Sequence, residues 1–178
     1  MIIPGFLIAI ATFPGVIVHE AAHFWMCRLR RIAVLDVCYF RIGDPCGYVI
    51  HEQTDDFTSS FLIATGPFFV NSLLCILICF PVVAPMRLFR STEPWTYVIL
   101  YLGISIGMHA FPSTADAKGL WNSCRLATSR GNIWAMISYP LVVLIFVANI
   151  LSIVWFDYLY GLAIGLWLPD ALMTKLIE

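Results

Sequence analysis

The sequence predicts an all-α polytopic membrane protein with four to five transmembrane helices and a small β-hairpin-like loop between the first two. Of its 178 residues, 61% are hydrophobic and only 12% are charged, and the mean hydropathy is +0.88. Ordinary soluble domains are far less apolar. Because a transmembrane helix needs about 20 mostly apolar residues, this length leaves little room for a separate soluble domain. We expect a single membrane-embedded domain over residues 1–178.

The apolar residues fall into successive runs, and each run predicts one helix. The first run has no basic start and no small-residue cleavage site, so we interpret it as a retained span rather than a signal peptide. The last run is uninterrupted only before Pro169 and Asp170, and it either crosses the bilayer or re-enters it. The runs lie at residues 2–27, 61–86, 95–111, 133–156 and 158–177.

The sizeable loop of the chain, residues 28–60, lies between the first two runs. Its segment CYFRIGDPCGYVIHEQTDD mixes β-branched and aromatic residues with glycine and proline breaks. This composition is typical of short strands joined by a turn. We expect a β-hairpin at the membrane rim.

The basic residues are distributed unevenly among the loops. If every run crosses the membrane, most of the 10 lysines and arginines lie on the side reached at the end of the first run. The positive-inside rule then places the first loop in the cytoplasm. We expect a multi-pass integral protein of a prokaryotic cell membrane. The basic residues expected on the cytoplasmic side are Arg28, Arg30, Arg31, Arg41, Lys118, Arg125, Arg130 and Lys175. Those expected on the opposite side are Arg87 and Arg90.

Composition also excludes several kinds of partner and site. A net charge of -1 provides no basic field for nucleic acid. The 6 cysteines form no C-x-x-C pair, so neither a disulfide framework nor a cysteine zinc site is predicted. No internal repeat is visible, which argues against a transporter built from inverted halves. The lipid bilayer is the partner that the composition predicts.

The strongest functional signal is the motif H-E-A-A-H at residues 19–23, within the first run. Histidines four residues apart share one helix face, so His19 and His23 can both direct a ring nitrogen at one Zn²⁺. A zinc ion with an open position lowers the pKa of its bound water to about 7, and a neighbouring carboxylate can accept the proton. A charge inside a span costs about 2.5 kcal/mol or more, which favours a functional interpretation. The motif predicts a zinc metallopeptidase with Glu20 as general base.

A third zinc ligand has to come from another part of the chain. Asp116 is the first choice, because the Pro112 break lets non-helical backbone turn towards a polar cavity. His109, which lies deeper, is a fourth ligand, a transition-state donor or a histidine bonded to a neighbouring helix. The polar residues expected near the membrane face of His23 are Asp116, His109, His51, Glu52 and Asp44.

A further polar residue, Asn71, follows Gly66 and Pro67 in the second run. Small residues permit close helix approach, and an asparagine amide can form hydrogen bonds across helices. Asn71 therefore has two interpretations, one as a packing residue and the other as a substrate contact.

Together these residues resemble the site-2 protease family (M50-type) of intramembrane zinc metalloproteases. Members of that family carry H-E-x-x-H in one span and Asn-x-x-Pro followed by Asp-Gly in a later one. The resemblance covers roughly residues 10–125, with His109 at the usual asparagine and Ala117 at the usual glycine. It implies that His19, His23 and Asp116 bind zinc and that Glu20 is the catalytic acid and base.

The resemblance also implies how a substrate is held. Family members present a strand near the site, and its counterpart here is the G-Y-V-I-H stretch, with Gly47, Tyr48 and Val49 as substrate-binding residues. Asn71 and His109 are expected beside them. The implied partner is a transmembrane protein or peptide, cut near the cytoplasmic side. The sequence predicts neither its identity nor an oligomeric state.

Three other functions compete with this interpretation. Another class of membrane zinc peptidase would take a glutamate from a later helix, but no glutamate stands in any run after Glu20. A catalytically silent protein would use the zinc site to bind transmembrane peptides. A small metal carrier would use the same cluster as a transit site.

Overall fold

The structure is a computed structural model that describes residues 5–89 and 93–177, and it is mostly helical. The start of the first predicted run, residues 2–4, and Arg90 lie outside the described residues. The helices are α1 (Gly5–Ala11), α2 (Phe13–Leu29), α3 (Phe57–Phe89), α4 (Pro94–Met108), α5 (Thr114–Ser129), α6 (Ile133–Leu151), α7 (Phe156–Leu162) and α8 (Leu168–Ile177). A 3₁₀ turn at Ser152–Val154 and a π-helical segment at Ala163–Trp167 lie between the last three.

The first predicted run folds into two helices rather than one. The axes of α1 and α2 differ by 92°. The break is at Thr12, whose backbone is non-helical at φ -118° and ψ 34°. Pro14 stands in the first turn of α2, where its missing N–H costs nothing. The proline therefore starts a new helix instead of continuing the old one.

The predicted hairpin is confirmed as a two-stranded antiparallel sheet. Strand β1 (Val34–Cys38) pairs with β2 (Tyr48–His51), with Val34 opposite His51 and Cys38 opposite Tyr48. Both strands contact α2. Gly47, just before β2, is buried, and a Cβ there would lie 2.7 Å from Cγ of Glu20. The sheet thus covers the helix that carries the H-E-A-A-H motif.

Helix α3 is the element against which the other helices assemble. Asp56 caps its start by accepting hydrogen bonds from the backbone N–H of Ser59 at 3.0 Å and from its hydroxyl at 2.6 Å. The interior prolines Pro67, Pro81 and Pro85 do not end the helix. Helices α2, α4, α5 and α8 all pack against it.

The described residues contain two helices long and apolar enough to cross a membrane. These are Phe57–Met86 and Ile133–Val154, and the bent pair α1 and α2 is a third if it forms one span. Helix α4 is apolar but has only 15 residues. The last predicted run is divided among α7, the π-helical segment and α8. Length and composition alone thus give two to three spans, fewer than the predicted four to five.

Helix α5 is amphipathic and begins just after the Pro112 break. Its apolar face, with Ala117, Leu120 and Cys124, is buried against Val142 of α6 and neighbouring residues. Asp116 lies in its first turn. Packing of α5 on α6 and α3 therefore directs this carboxylate towards the inside of the bundle.

A tightly packed contact joins α3, α4 and the end of the chain, and we call it the glycine–cysteine seam. Around Cys75 and Cys79 of α3 lie Gly103 and Gly107 of α4, together with Gly161 and Gly165 from the last helical stretch. Both cysteines are 0% exposed. Small residues at such spacing let helix backbones approach closely.

Candidate metal centre

The two motif histidines lie on the buried face of α2, as their spacing predicts. His23 is 6% exposed and His19 is 9% exposed. Gly15, one turn earlier, lets α2 approach α4 closely, and its N–H donates to the Ser105 hydroxyl at 3.0 Å. The Ser105 hydroxyl in turn donates to the carbonyl of Thr12 at 2.9 Å. These contacts fix the distance of the His19 ring from α4.

Backbone carbonyls determine which nitrogen of each histidine ring carries hydrogen. Nδ1 of His19 lies 2.7 Å from the carbonyl oxygen of His109, and Nδ1 of His23 lies 2.9 Å from that of Ile63. A carbonyl only accepts, so both Nδ1 atoms donate, and each neutral ring keeps a bare Nε2. The two Nε2 atoms are 3.1 Å apart. Two acceptor lone pairs therefore face each other inside the protein.

Asp116 is the third group at this point. Its Oδ2 lies 3.5 Å from Nε2 of His23, and one ligand atom from each of His19, His23 and Asp116 lies within 4.8 Å of the others. Ser113 holds the same oxygen, donating from its backbone N–H at 2.8 Å and its hydroxyl at 2.6 Å.

The three donors fit a tetrahedral zinc ion. Zinc bonds to imidazole nitrogen and carboxylate oxygen are about 2.0–2.2 Å long, so tetrahedral ligand atoms lie about 3.3–3.5 Å apart. The separations of 3.1 Å between the two Nε2 atoms and 3.5 Å between His23 and Asp116 are close to that requirement, and the third pair lies within 4.8 Å. Hydrogen bonds from the far ring nitrogen to carbonyls are typical of zinc-binding histidines. A zinc ion would satisfy these three acceptor atoms together, and without it a proton on Nε2 of His23 would lie between His19 and Asp116.

Glu20 lies on α2 beside this group and lines a cavity of about 380 Å³ that also reaches His19, His23 and Asp116. It is half-buried. Among residues 5–89 and 93–177, no hydrogen-bond partner of its carboxylate is found, so the carboxylate is free to accept a proton from a water molecule. Gly47 packs directly on its side chain, because a Cβ at that position would lie 2.7 Å from Cγ of Glu20.

The candidate site of this chain consists of His19, Glu20, His23 and Asp116. No protein-family model, curated protein or solved structure matches this chain. The chemistry of the site therefore follows from the geometry of the described residues.

The predicted substrate strand lies at the cavity. Gly47, Tyr48 and Val49 all line it, as does His51 at the end of β2. The hydroxyl of Tyr48 donates to Asp36 on the neighbouring strand at 2.9 Å. The strand that the resemblance implied is thus adjacent to Glu20.

His109 also lines the cavity, but it stands outside the three-donor group. The Thr12 hydroxyl donates to the carbonyl of Ile8 at 2.7 Å, so it accepts from Nε2 of His109 at 2.8 Å. The ring is therefore bonded to the break between α1 and α2, in keeping with the third interpretation of this residue. Its backbone carbonyl is the group that orients His19.

Asn71 is placed behind the site rather than in it. It is 0% exposed, and it is not among the cavity's lining residues. Its amide nitrogen donates to the carbonyl of His109 at 2.9 Å and to that of Ile106 at 3.2 Å. This placement favours the packing interpretation over the substrate contact, because the amide ties α3 to the end of α4.

Sequence reasoning missed two sets of residues at this site. Ser113 belongs to a capping box with Asp116, and the Ser-x-x-Asp pattern before a helix was a visible signal. Asn149, Ser152 and Asp157 line the far wall of the cavity. In the sequence, these three residues were recognisable only as polar residues near the end of an apolar run.

Proposed function

We propose that this chain is a multi-pass intramembrane zinc metalloprotease that hydrolyses peptide bonds of membrane-spanning substrates near the cytoplasmic face. The observation that carries the proposal is the convergence of two bare imidazole nitrogens and a carboxylate oxygen beside Glu20 in one cavity. This is the residue set of zinc peptidases, and it agrees with the site-2 protease resemblance.

The energetics of burial support a metal at this point. A buried polar atom without a partner costs free energy, and a buried carboxylate without a counter-charge costs more. Zinc would satisfy Nε2 of His19, Nε2 of His23 and the Asp116 carboxylate together. Without zinc, a protonated His23 would have to donate from Nε2 to His19 or to Asp116 to satisfy these atoms.

The outer surface supports a bilayer as the surroundings. On α3, Phe69, Leu73 and Leu77 are 60%, 57% and 57% exposed. They recur every four residues and form one apolar face of the helix. Soluble proteins rarely expose a continuous apolar surface of this kind. Because α4 and α8 pack along α3, we propose that they share its membrane layer, which gives four to five crossings.

The position of the basic residues supports the cytoplasmic orientation. Arg28, Arg30 and Arg31 lie five to eight residues after His23, at or just beyond the end of α2. Arginines at the end of a span favour the cytoplasmic side. The His23 end of the helix would then be the end that lies closer to the cytoplasm.

The chain's own residues account for the other steps of hydrolysis. Zinc, when bound, acts as a Lewis acid that makes water a nucleophile at neutral pH. Glu20 accepts the proton of the attacking water and passes it to the leaving amine. Ser113 and the carbonyls of His109 and Ile63 hold the donors in place. Each of these contacts exists before substrate arrives.

Strand β2 provides a means of presenting the substrate. A transmembrane helix hides its carbonyls in intrahelical hydrogen bonds, so a segment has to unwind before it can be cut. Within the described residues, β2 pairs with β1 on one edge only. An extended substrate segment can add to the other edge and run past Glu20.

The test measures zinc per chain and cleavage of a single-span substrate in detergent micelles, on the same samples. Wild type should carry one zinc and cleave. His23→Ala should lose both, whereas Glu20→Gln should keep zinc and lose cleavage by about 100-fold or more.

His51→Ala is the matched control, because it removes another histidine from the cavity wall but none from the donor group. It should keep zinc. A wild type that takes up no zinc would contradict the metal centre. Full activity in Glu20→Gln would contradict the mechanism, and zinc without cleavage would favour the silent peptide-binding protein.

A further inference from the structure

A small side pocket opens off the main cavity. It has a volume of about 120 Å³ and shares Ala9, Met108, His109, Ser152 and Asp157 with the larger space. Its remaining walls are mainly apolar: Gly5, Ile8, Trp155 and Tyr158. A mainly apolar pocket with a carboxylate on its wall suits a long aliphatic side chain with a charged tip.

The charges that line the two spaces do not balance. Three carboxylates are present, those of Glu20, Asp116 and Asp157, while none of the lysines and arginines that the structure describes lines either space. A divalent zinc ion would offset Glu20 and Asp116. Asp157 would remain as a surplus negative charge within reach of anything bound in the cavity.

The local backbone fixes Asp157 in this position. Trp155 has a left-handed backbone at φ 67°, and this residue separates the 3₁₀ turn from α7. A non-glycine residue in that conformation is strained and has to be held by its surroundings. Asp157 follows in the first turn of α7.

We propose that the side pocket is a specificity pocket in which Asp157 binds the basic side chain of a substrate residue close to the cut bond. The preferred substrates are thus membrane segments with a lysine or arginine near the cleavage point. The inference rests on the proposed protease function and names its substrate class. Glu20 and Asp116 take part in hydrolysis, and Asp157 determines which substrate side chain is preferred.

The test compares two peptide hydroxamates that differ in one side chain, lysine or norleucine. The hydroxamate group anchors on zinc, and the variable side chain reaches the neighbouring pocket. Binding is measured by calorimetry on the zinc-loaded full chain in micelles. Wild type should bind the lysine probe at least about 10-fold more tightly than the norleucine probe, which corresponds to about 1.4 kcal/mol.

Variants of the carboxylate identify the source of this preference. Asp157→Asn keeps the shape of the side chain and should bring the preference below about twofold, with unchanged affinity for the norleucine probe. Asp157→Glu should retain it. Asp55→Asn removes an exposed carboxylate that lines neither space, and it should leave the preference as in wild type.

The outcomes separate the two proposals. Equal affinity of zinc-loaded wild type for both probes, or an undiminished preference in Asp157→Asn, would overturn the specificity pocket and leave the protease proposal standing. A wild type that takes up no zinc in the same preparation would overturn the proposed function, and the specificity pocket with it.

Discussion

The two ends of α4 pack against their neighbours in opposite ways. At the glycine–cysteine seam, Gly103 meets Cys79 so closely that a Cβ would overlap the sulfur. At the other end, beyond Met108, the chain leaves the helix and His109 uses its ring and its carbonyl as hydrogen-bonding groups. One end is filled with small apolar residues, and the other holds polar side chains around a cavity.

The two ends of α4 therefore have different roles: one packs helices together, and the other positions polar groups around the cavity. The seam holds α3, α4 and α7 at a fixed separation through van der Waals contact, so enlargement of a residue there should reduce stability. The cavity holds polar groups that, under the proposed function, bind a cation and need space around it. Changes there should reduce activity more than stability.

The largest expected effect is at Gly47, on the cavity side. Gly47→Ala places a methyl group 2.7 Å from Cγ of Glu20, and Glu20 has to move. Displacement of a catalytic group by about 1 Å can cost about 100-fold in rate. Cleavage should fall about 10- to 100-fold while zinc content stays the same. Loss of zinc in this variant would show that the hairpin supports the metal centre as well.

The next effect is at the seam. Gly103→Ala should destabilise the fold by about 1–3 kcal/mol through overpacking against Cys79. Gly119→Ala is the matched control, because no atom lies within 4 Å of its added Cβ. That change should raise stability by about 0.5–1 kcal/mol. Denaturant titration in micelles measures the free energy of unfolding of both variants. Equal changes in the two would contradict the claim that close packing at the seam determines stability.

A smaller effect is expected at Ser113, where stability and metal binding meet. Ser113→Ala removes the helix cap, worth about 0.5–2 kcal/mol, and the hydroxyl that holds Asp116 at 2.6 Å. Zinc affinity should fall about 10-fold, as for other outer-shell changes. Zinc competition with a chelator gives the affinity. Ser129→Ala, another exposed serine of α5, should leave zinc affinity unchanged.

The smallest effect is expected at the exposed ion pair between Arg130 and Asp55. Arg130 pairs with Asp55 at 3.1 Å, but the side chains are 53% and 74% exposed. Such pairs contribute about 0.2–1 kcal/mol. Arg130→Ala should lower stability by no more than that at low salt, and the difference should vanish near 1 M salt, where charges are screened within about 3 Å. A larger, salt-independent loss would point to packing of the arginine stem instead.

The sequence predicted those parts of the site that depend on local spacing. The i and i+4 positions of His19 and His23 place them on one helix face regardless of the rest of the fold. Asp116 was predicted from the Pro112 break, which lets the backbone turn towards the cavity. The hairpin followed from its glycine and proline breaks. Each of these is a short-range property of the chain.

Long-range contacts account for what the sequence did not predict. The carbonyls that orient His19 and His23 belong to residues 90 and 40 positions away. The packing site of Asn71 and the arrival of Asp157 at the cavity depend equally on how distant helices meet. The bend at Thr12 did have a local signal in Pro14, but an unbroken apolar run gave the stronger indication of one helix.

The bend at Thr12 has a mechanical consequence for the metal centre. Two hydrogen bonds in series, from the His109 ring to Thr12 and from the His19 ring to the His109 carbonyl, join the end of α1 to the ring of His19. A tilt of the short helix α1 would therefore move the His19 ring itself. Under the proposed function, the angle of α1 in the bilayer would then alter the geometry around the zinc ion.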